Sequence, residues 1–168
     1  MSDYLLPAEL VDKAREVVEA NRAAGRRVAV AESCTGGLVS AALTEIAGSS
    51  EMFEAGFVTY SNTAKMAALR VGDEVVETFG AVSIATAWAM ARGALEKTDA
   101  DVAVAITGIA GPDGGSAKKP VGTVVFARAE RGAGDDQIVA DQKFFDAGGG
   151  RSGVRLQAAL CALDLLMP

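Results

Sequence analysis

Ser33 stands in Ala31-Glu32-Ser33-Cys34-Thr35-Gly36-Gly37, between an apolar run and two glycines, in a chain of 168 residues that contains no histidine. A serine nucleophile needs a base that takes its hydroxyl proton, and the imidazole that most often does so is absent, which leaves lysine as the partner to seek. Lys65 is the best placed, in Val58-Thr59-Tyr60-Ser61-Asn62-Thr63-Ala64-Lys65, where a β-rich run passes into a helix. Asn62, itself a candidate for substrate binding, is expected to cap that helix, which puts Lys65 in the first turn, where the helix field disfavours a positive charge. A lysine working as a base near neutrality must come down from ~10.4 to about 7 or 8, so burial or a neighbouring cation has to supply the remainder. A solvent-facing lysine on a short amphipathic helix is the competing reading of the same spacing.

Other residues fall into the same frame. The backbone N–H groups of Thr35, Gly36 and Gly37 open a helix, where they can hold an oxyanion or a phosphate; a tight strand-to-helix turn explains the glycines equally well. Tyr60 is either a proton relay or carboxamide donor, or a strand aromatic at the surface. Thr107 and Gly108 head a second glycine-rich segment running through Gly111 to Gly115, a candidate substrate loop that also reads as an ordinary turn. Cys34 is an alternative nucleophile or a small packing residue, and Ser50, in the Gly48-Ser49-Ser50 turn, is the rival serine.

The elements that must position these residues follow from periodicity. Helical spacing covers Ala8 to Ala24, Gly37 to Ile46, Asn62 to Leu69, a longer stretch capped by Ser83, and Ser152 to Met167. In the helix after Ser83, Ile84, Trp88, Ala91 and Leu95 form the expected core stripe. Strands are expected at Arg27 to Ala31, Phe53 to Ser61, Val102 to Ile106, Val121 to Ala129 and Gln137 to Phe145. The Val102 run is too apolar for a strand with one wet face and suits one covered on both sides. Together these give a single α/β domain over residues 1–168: three α/β/α layers around a mixed, mostly parallel sheet of about five strands, the last two antiparallel because no helix separates them. Ligands collect at the carboxyl ends of strands in such sheets, which brings the Ser33, Tyr60–Lys65 and Thr107–Gly115 segments to one cleft.

Composition narrows the function classes. The net charge of −6 argues against a nucleic-acid partner. Short basic clusters at Arg26–Arg27, Lys118–Lys119 and Arg151–Arg155 read as loop or helix ends, with the last pair the candidate phosphate site. No cofactor and no metal is expected, since histidine is absent and cysteines number two; only magnesium held by carboxylates and a substrate phosphate stays open. Cys161 shares helical spacing with Val154, Ala158 and Leu165, a core position, so no disulfide is expected. No apolar run reaches the ~18 residues of a membrane helix. The start, Met1-Ser2-Asp3-Tyr4, lacks the pattern of a secretory signal, giving a cytoplasmic expectation.

Several of these segments, in order, resemble the CinA C-terminal domain family: Ala31 to Gly37, Gly56-Phe57-Val58-Thr59-Tyr60-Ser61-Asn62 with Lys65, Gly80-Ala81-Val82-Ser83, and Thr107 to Ser116 running into Lys119-Pro120-Val121-Gly122-Thr123-Val124. The resemblance spans nearly the whole chain. It implies an α/β/α fold and hydrolysis of the carboxamide of nicotinamide mononucleotide, a small-molecule nucleotide, by a serine and a lysine. Carried over by motif, Ser33 is the nucleophile, Lys65 the base, and Tyr60 and Thr107 orient or polarise the amide; Arg151, from the basic pair, is the residue expected at the phosphate. Two positions depart from the family pattern: Gly149-Gly150-Arg151 where Gly-Asp-Arg is frequent, and Thr86 where glutamate often follows the Ser83 cap. A homo-oligomer is expected, as is common for small compact enzymes. The alternatives are a nucleotide-binding or regulatory module without catalysis, and a hydrolase of another small amide.

Overall fold

The computed structural model describes residues 4–168; the first three residues of the start read above lie outside it. Its elements are α1 (Ala8–Ala23), β1 (Val28–Glu32), α2 (Leu38–Thr44), β2 (Phe53–Val58), α3 (Asn62–Leu69), α4 (Asp73–Phe79), α5 (Ile84–Glu96), β3 (Val102–Gly108), β4 (Thr123–Glu130), β5 (Val139–Phe144) and α6 (Gly150–Leu165), with short 3-10 turns at Ser49–Glu51 and Asp135–Gln137. The five strands form one mixed sheet in the order β2-β1-β3-β4-β5. β1 pairs in parallel with both β2 and β3, with Val30 between Gly56 and Val104. β4 runs antiparallel to both β3 and β5, so the expected antiparallel pair at the end of the chain is present.

The strands alternate by size where they cannot alternate by polarity. Val28, Val30, Val102, Val104, Ile106, Val124 and Phe126 turn to one face and join a core with α1, α2 and α6. Ala29, Ala31, Ala103, Ala105, Ala127 and Ala129 turn to the other and meet α3, α4 and α5. An alanine floor lets those helices approach closely. On α5 the expected stripe is displaced: Ile84 is exposed and Trp88 and Leu95 are only half-buried, while Thr86, Ala87, Met90, Ala91, Gly93 and Ala94 are buried. The small residues set this face, since a Cβ on Gly93 would lie 2.0 Å from the Leu69 carbonyl oxygen of α3.

Helix α4 was not anticipated from the sequence. Its Val75-Val76 pair favours strand locally and only Val76 is buried, so it carries little of the helical signal. Cys34 and Cys161 are both free, the latter half-buried against the first core. Among the described residues no helix is long and apolar enough to cross a membrane, and no group of three or more His, Cys, Asp or Glu could hold a metal ion.

Candidate active site

The carboxyl ends of β1, β2 and β3 lie side by side, and a cavity of about 260 Å³ opens beyond them, lined by Ser33, Cys34, Tyr60, Lys65, Thr107 and Arg151 among others. Ser33 follows β1 directly. Its N–H donates to the Ile106 carbonyl at 2.9 Å, and its carbonyl accepts from the Gly36 N–H at 3.0 Å, so its backbone is held on both sides.

Lys65 reaches the same point from α3. Its Nζ lies 2.9 Å from Ser33 Oγ, 2.8 Å from the Thr59 carbonyl and 3.3 Å from the Tyr60 carbonyl. The side chain is 1% exposed, and Ser33 is 7% exposed. Burial holds the Lys65 ammonium below the usual lysine value of 10.5, opposed only by the neighbouring Cys34 thiol. The solvent-facing alternative for Lys65 is therefore incorrect. The cap of α3 is Ser61, whose Oγ accepts from the Ala64 N–H at 3.0 Å; Asn62 is the first helical residue, exposed at the surface and outside the cavity lining.

Cys34 also lines the cavity, but burial pushes its thiol up to about 11, which disfavours the thiolate a cysteine nucleophile requires. Ser50 is exposed in the turn before β2, at the opposite end of the sheet from Ser33. Of the three, Ser33 is the one to which a lysine donates among the described residues.

The residues expected to hold an oxyanion stand back from the cavity. The Gly36 N–H is spent on Ser33's own carbonyl, and Thr35, Gly36 and Gly37 do not line the cavity. A Cβ on Gly36 would face Arg155 Nη2, and one on Gly37 would face Val58 Cγ2, each at 3.4 Å. The residue of this loop that does line it is Cys34, and its N–H donates to no backbone carbonyl among the described residues.

The opposite wall comes from β3 and the segment before α5. Thr107 Oγ1 donates to the Ala81 carbonyl at 2.8 Å, and Lys119 Nζ donates to the Val82 carbonyl at 2.6 Å. Thr107 and Lys119 thus tie the Ala81–Val82 wall in place, a role for Lys119 that its charge alone did not announce. Gly108 has no room for a side chain, since its Cβ would meet Val124 Cγ2 at 2.8 Å and Cys34 Sγ at 3.1 Å. At the rim, Arg151 from the first turn of α6 donates from Nη1 to the Gly111 carbonyl at 2.7 Å and from Nη2 to the Tyr60 hydroxyl at 2.6 Å. These contacts hold Arg151 without the acidic neighbour usual before it. Thr86, in place of the usual glutamate, donates to the Gly80 carbonyl at 2.7 Å while Ser83 still caps α5.

Two residues given no role by the sequence reading matter here, and a third has a role other than the one expected. Glu32 is fully buried, and its carboxylate accepts from the Val39 and Ser40 N–H groups at 3.0 Å each, anchoring α2 beneath the Ser33 turn. A lone carboxylate in an apolar strand was the signal for it. Asp113 lines the cavity on the Gly111 loop. Arg155, taken with Arg151 as a possible phosphate ligand, instead donates to the carbonyls of Cys34 and Thr35.

Comparison with known proteins places this geometry among relatives. The profile of the CinA C-terminal domain matches residues 11–168. A protein of Enterobacter agglomerans named nicotinamide-nucleotide amidohydrolase PncC is 52% identical over 149 residues, covering 89% of this chain and 88% of its own. The protein of that name from Escherichia coli K12 is 49% identical over 160 residues, covering 95% and 93%. The crystal structure of the competence/damage inducible protein CihA from Agrobacterium tumefaciens superposes with a TM-score of 0.91 at 47% identity, covering 99% of this chain and 97% of that one.

Proposed function

Because the chain belongs to the CinA C-terminal domain family, we propose that it hydrolyses the carboxamide of nicotinamide mononucleotide to nicotinate mononucleotide and ammonia, with Ser33 as nucleophile and Lys65 as base. The names of its relatives support the substrate. The observation that carries the mechanism is the 2.9 Å approach of Lys65 Nζ to Ser33 Oγ inside a cavity that has no histidine to offer.

A neutral amine has two N–H bonds and one lone pair. Around Lys65 Nζ stand two carbonyl oxygens, of Thr59 and Tyr60, and one hydroxyl, of Ser33. With its two hydrogens on the carbonyls, the lone pair faces the Ser33 hydroxyl, which is the orientation a base needs. Lys65 takes the Ser33 proton as Oγ bonds to the carboxamide carbon. The Cys34 N–H, in the peptide that follows the nucleophile, meets the oxyanion. Lys65 then gives its proton to the departing nitrogen, the C–N bond breaks, ammonia leaves and an ester remains on Ser33. Water attacks that ester with Lys65 again accepting the proton, and Ser33 recovers its hydrogen as the acid departs. Thr107 holds the wall beside the amide, and Tyr60 and Arg151 form the rim, where the guanidinium meets the 5′-phosphate.

Ammonia release from nicotinamide mononucleotide by the purified protein, with the nucleotide product identified, tests the reaction. Stoichiometric ammonia and nicotinate mononucleotide are expected. Binding of the nucleotide with no ammonia would instead establish a module that keeps the pocket without catalysis, and turnover of other amides alone would make it a different hydrolase.

A further inference from the structure

Arg155 lies on α6 and packs its guanidinium under the Ser33 turn. Nε donates to the Cys34 carbonyl at 3.1 Å and Nη2 donates to the Thr35 carbonyl at 3.0 Å. No carboxylate pairs with it among the described residues, so a full positive charge is directed at two consecutive peptide units. Its field reaches the cavity, where it opposes the burial that raises the Cys34 thiol.

From this geometry we infer that Arg155 is a positioning residue for the nucleophile, bracing the Ser33 turn from α6, and not a ligand for the substrate phosphate; this rests on the reading of Ser33 as nucleophile. The chain of contacts is continuous. The Thr35 carbonyl that accepts from Arg155 belongs to the same peptide unit as the Gly36 N–H, and that N–H donates to the Ser33 carbonyl. In a planar trans peptide the carbonyl and N–H point in opposite directions, so fixing the first fixes the second. Withdrawal of electron density at the carbonyl also makes the N–H a stronger donor. Ser33 is thereby gripped by Gly36 on its carbonyl and by Ile106 on its N–H. The planar fork spans two adjacent carbonyls, which an ammonium cannot do with fixed geometry. Gly36, with φ +61, gives the turn its shape, and a Cβ there would stand 3.4 Å from Arg155 Nη2.

The test compares kcat and KM for ammonia release in wild type, Arg155→Ala, Arg155→Lys, Arg151→Ala and Ser33→Ala. A small displacement of a nucleophile costs on the order of 100-fold in rate, so Arg155→Ala is expected to lose about that in kcat. Its KM should stay within about 2-fold, because ground-state binding is untouched. Arg155→Lys, which keeps the charge and carries the test if the alanine variant does not fold, should show an intermediate kcat. Free guanidinium at millimolar concentration should restore part of the Arg155→Ala kcat, and methylammonium should not. Arg151→Ala should show the reverse split, with KM raised. A raised KM with preserved kcat in the Arg155 variants overturns the proposal, as does unchanged kcat in both or a kcat loss that guanidinium leaves untouched. Inactive Ser33→Ala beside unimpaired Arg155 variants overturns the brace alone; active Ser33→Ala overturns the nucleophile reading and the brace with it.

Discussion

Lys65 is among the largest fully buried side chains of the protein, and its Nζ contacts are a hydroxyl and two carbonyls, all neutral. With burial lowering its pKa from 10.5, activity should rise with pH as the amine loses its proton, and the midpoint of that limb of kcat/KM should fall below 10.5. A limb centred at or above that value would contradict a base of this kind. The same shift has a stability consequence of definite sign. The unfolded chain binds the proton more tightly than the folded one, so stability rises with pH between the lowered folded value and 10.5. Lys65→Met removes that slope, which is at most about 1.4 kcal/mol per pH unit for one proton. Denaturant titrations should therefore find the variant's advantage over wild type largest at low pH and shrinking as pH rises. The approach of Lys65 to Ser33 was legible from residue type, because the absence of histidine turned the search for a partner to lysine. The cap, by contrast, falls on Ser61 and not Asn62, since either side chain can accept from the first turn and only the backbone path decides. Arg155 was read with Arg151 as a phosphate candidate, and its contacts with the turn could not be foreseen: its acceptors are carbonyls, and spacing does not say where carbonyls point.

At the scale of elements, the site depends on how closely α5 approaches α3, the helix that carries Lys65. Gly93 makes that approach possible, and an added methyl would meet the Leu69 carbonyl at 2.0 Å. Gly93→Ala must push the helices apart, with an expected cost of about 1–3 kcal/mol, typical of overpacking. Because α3 moves with it, kcat should fall as well, and unfolding midpoints measured beside kcat separate the two effects. Equal stability with full activity would show that the contact is slack. Most elements were readable because the helices carry a 3.6-residue period, with Gly25 just past the end of α1 and Ser83 capping α5. The two faces of the sheet were readable only in part. Covered strands show no polar alternation, yet the Val-Ala-Val-Ala runs of β1 and β3 record which face takes the close-packed helices. The α5 stripe was misplaced for the same reason, as bulky residues drew attention away from the small ones that are buried.

For the molecule as a whole, the parallel arrangement of β2, β1 and β3 is what gathers a serine, a lysine and a glycine-rich loop from distant parts of the chain at one edge. The antiparallel β4 begins at that same edge and closes the sheet beside the loop, while α6 returns across the top to deliver Arg151 to the rim and Arg155 to the turn. Such convergence was legible as a rule of open α/β sheets. The distances were not. The central claim is that Ser33 and Lys65 act as one unit in amide hydrolysis, and residues that act as a unit are non-additive in their loss. The most direct measurement is kcat for ammonia release from nicotinamide mononucleotide by wild type, Ser33→Ala, Lys65→Met and the double variant, with folding checked by melting. The account predicts that each single variant loses at least about 1,000-fold and that the double variant is no worse than either. Retention of most activity in Ser33→Ala or in Lys65→Met, or losses that multiply in the double variant, would contradict it.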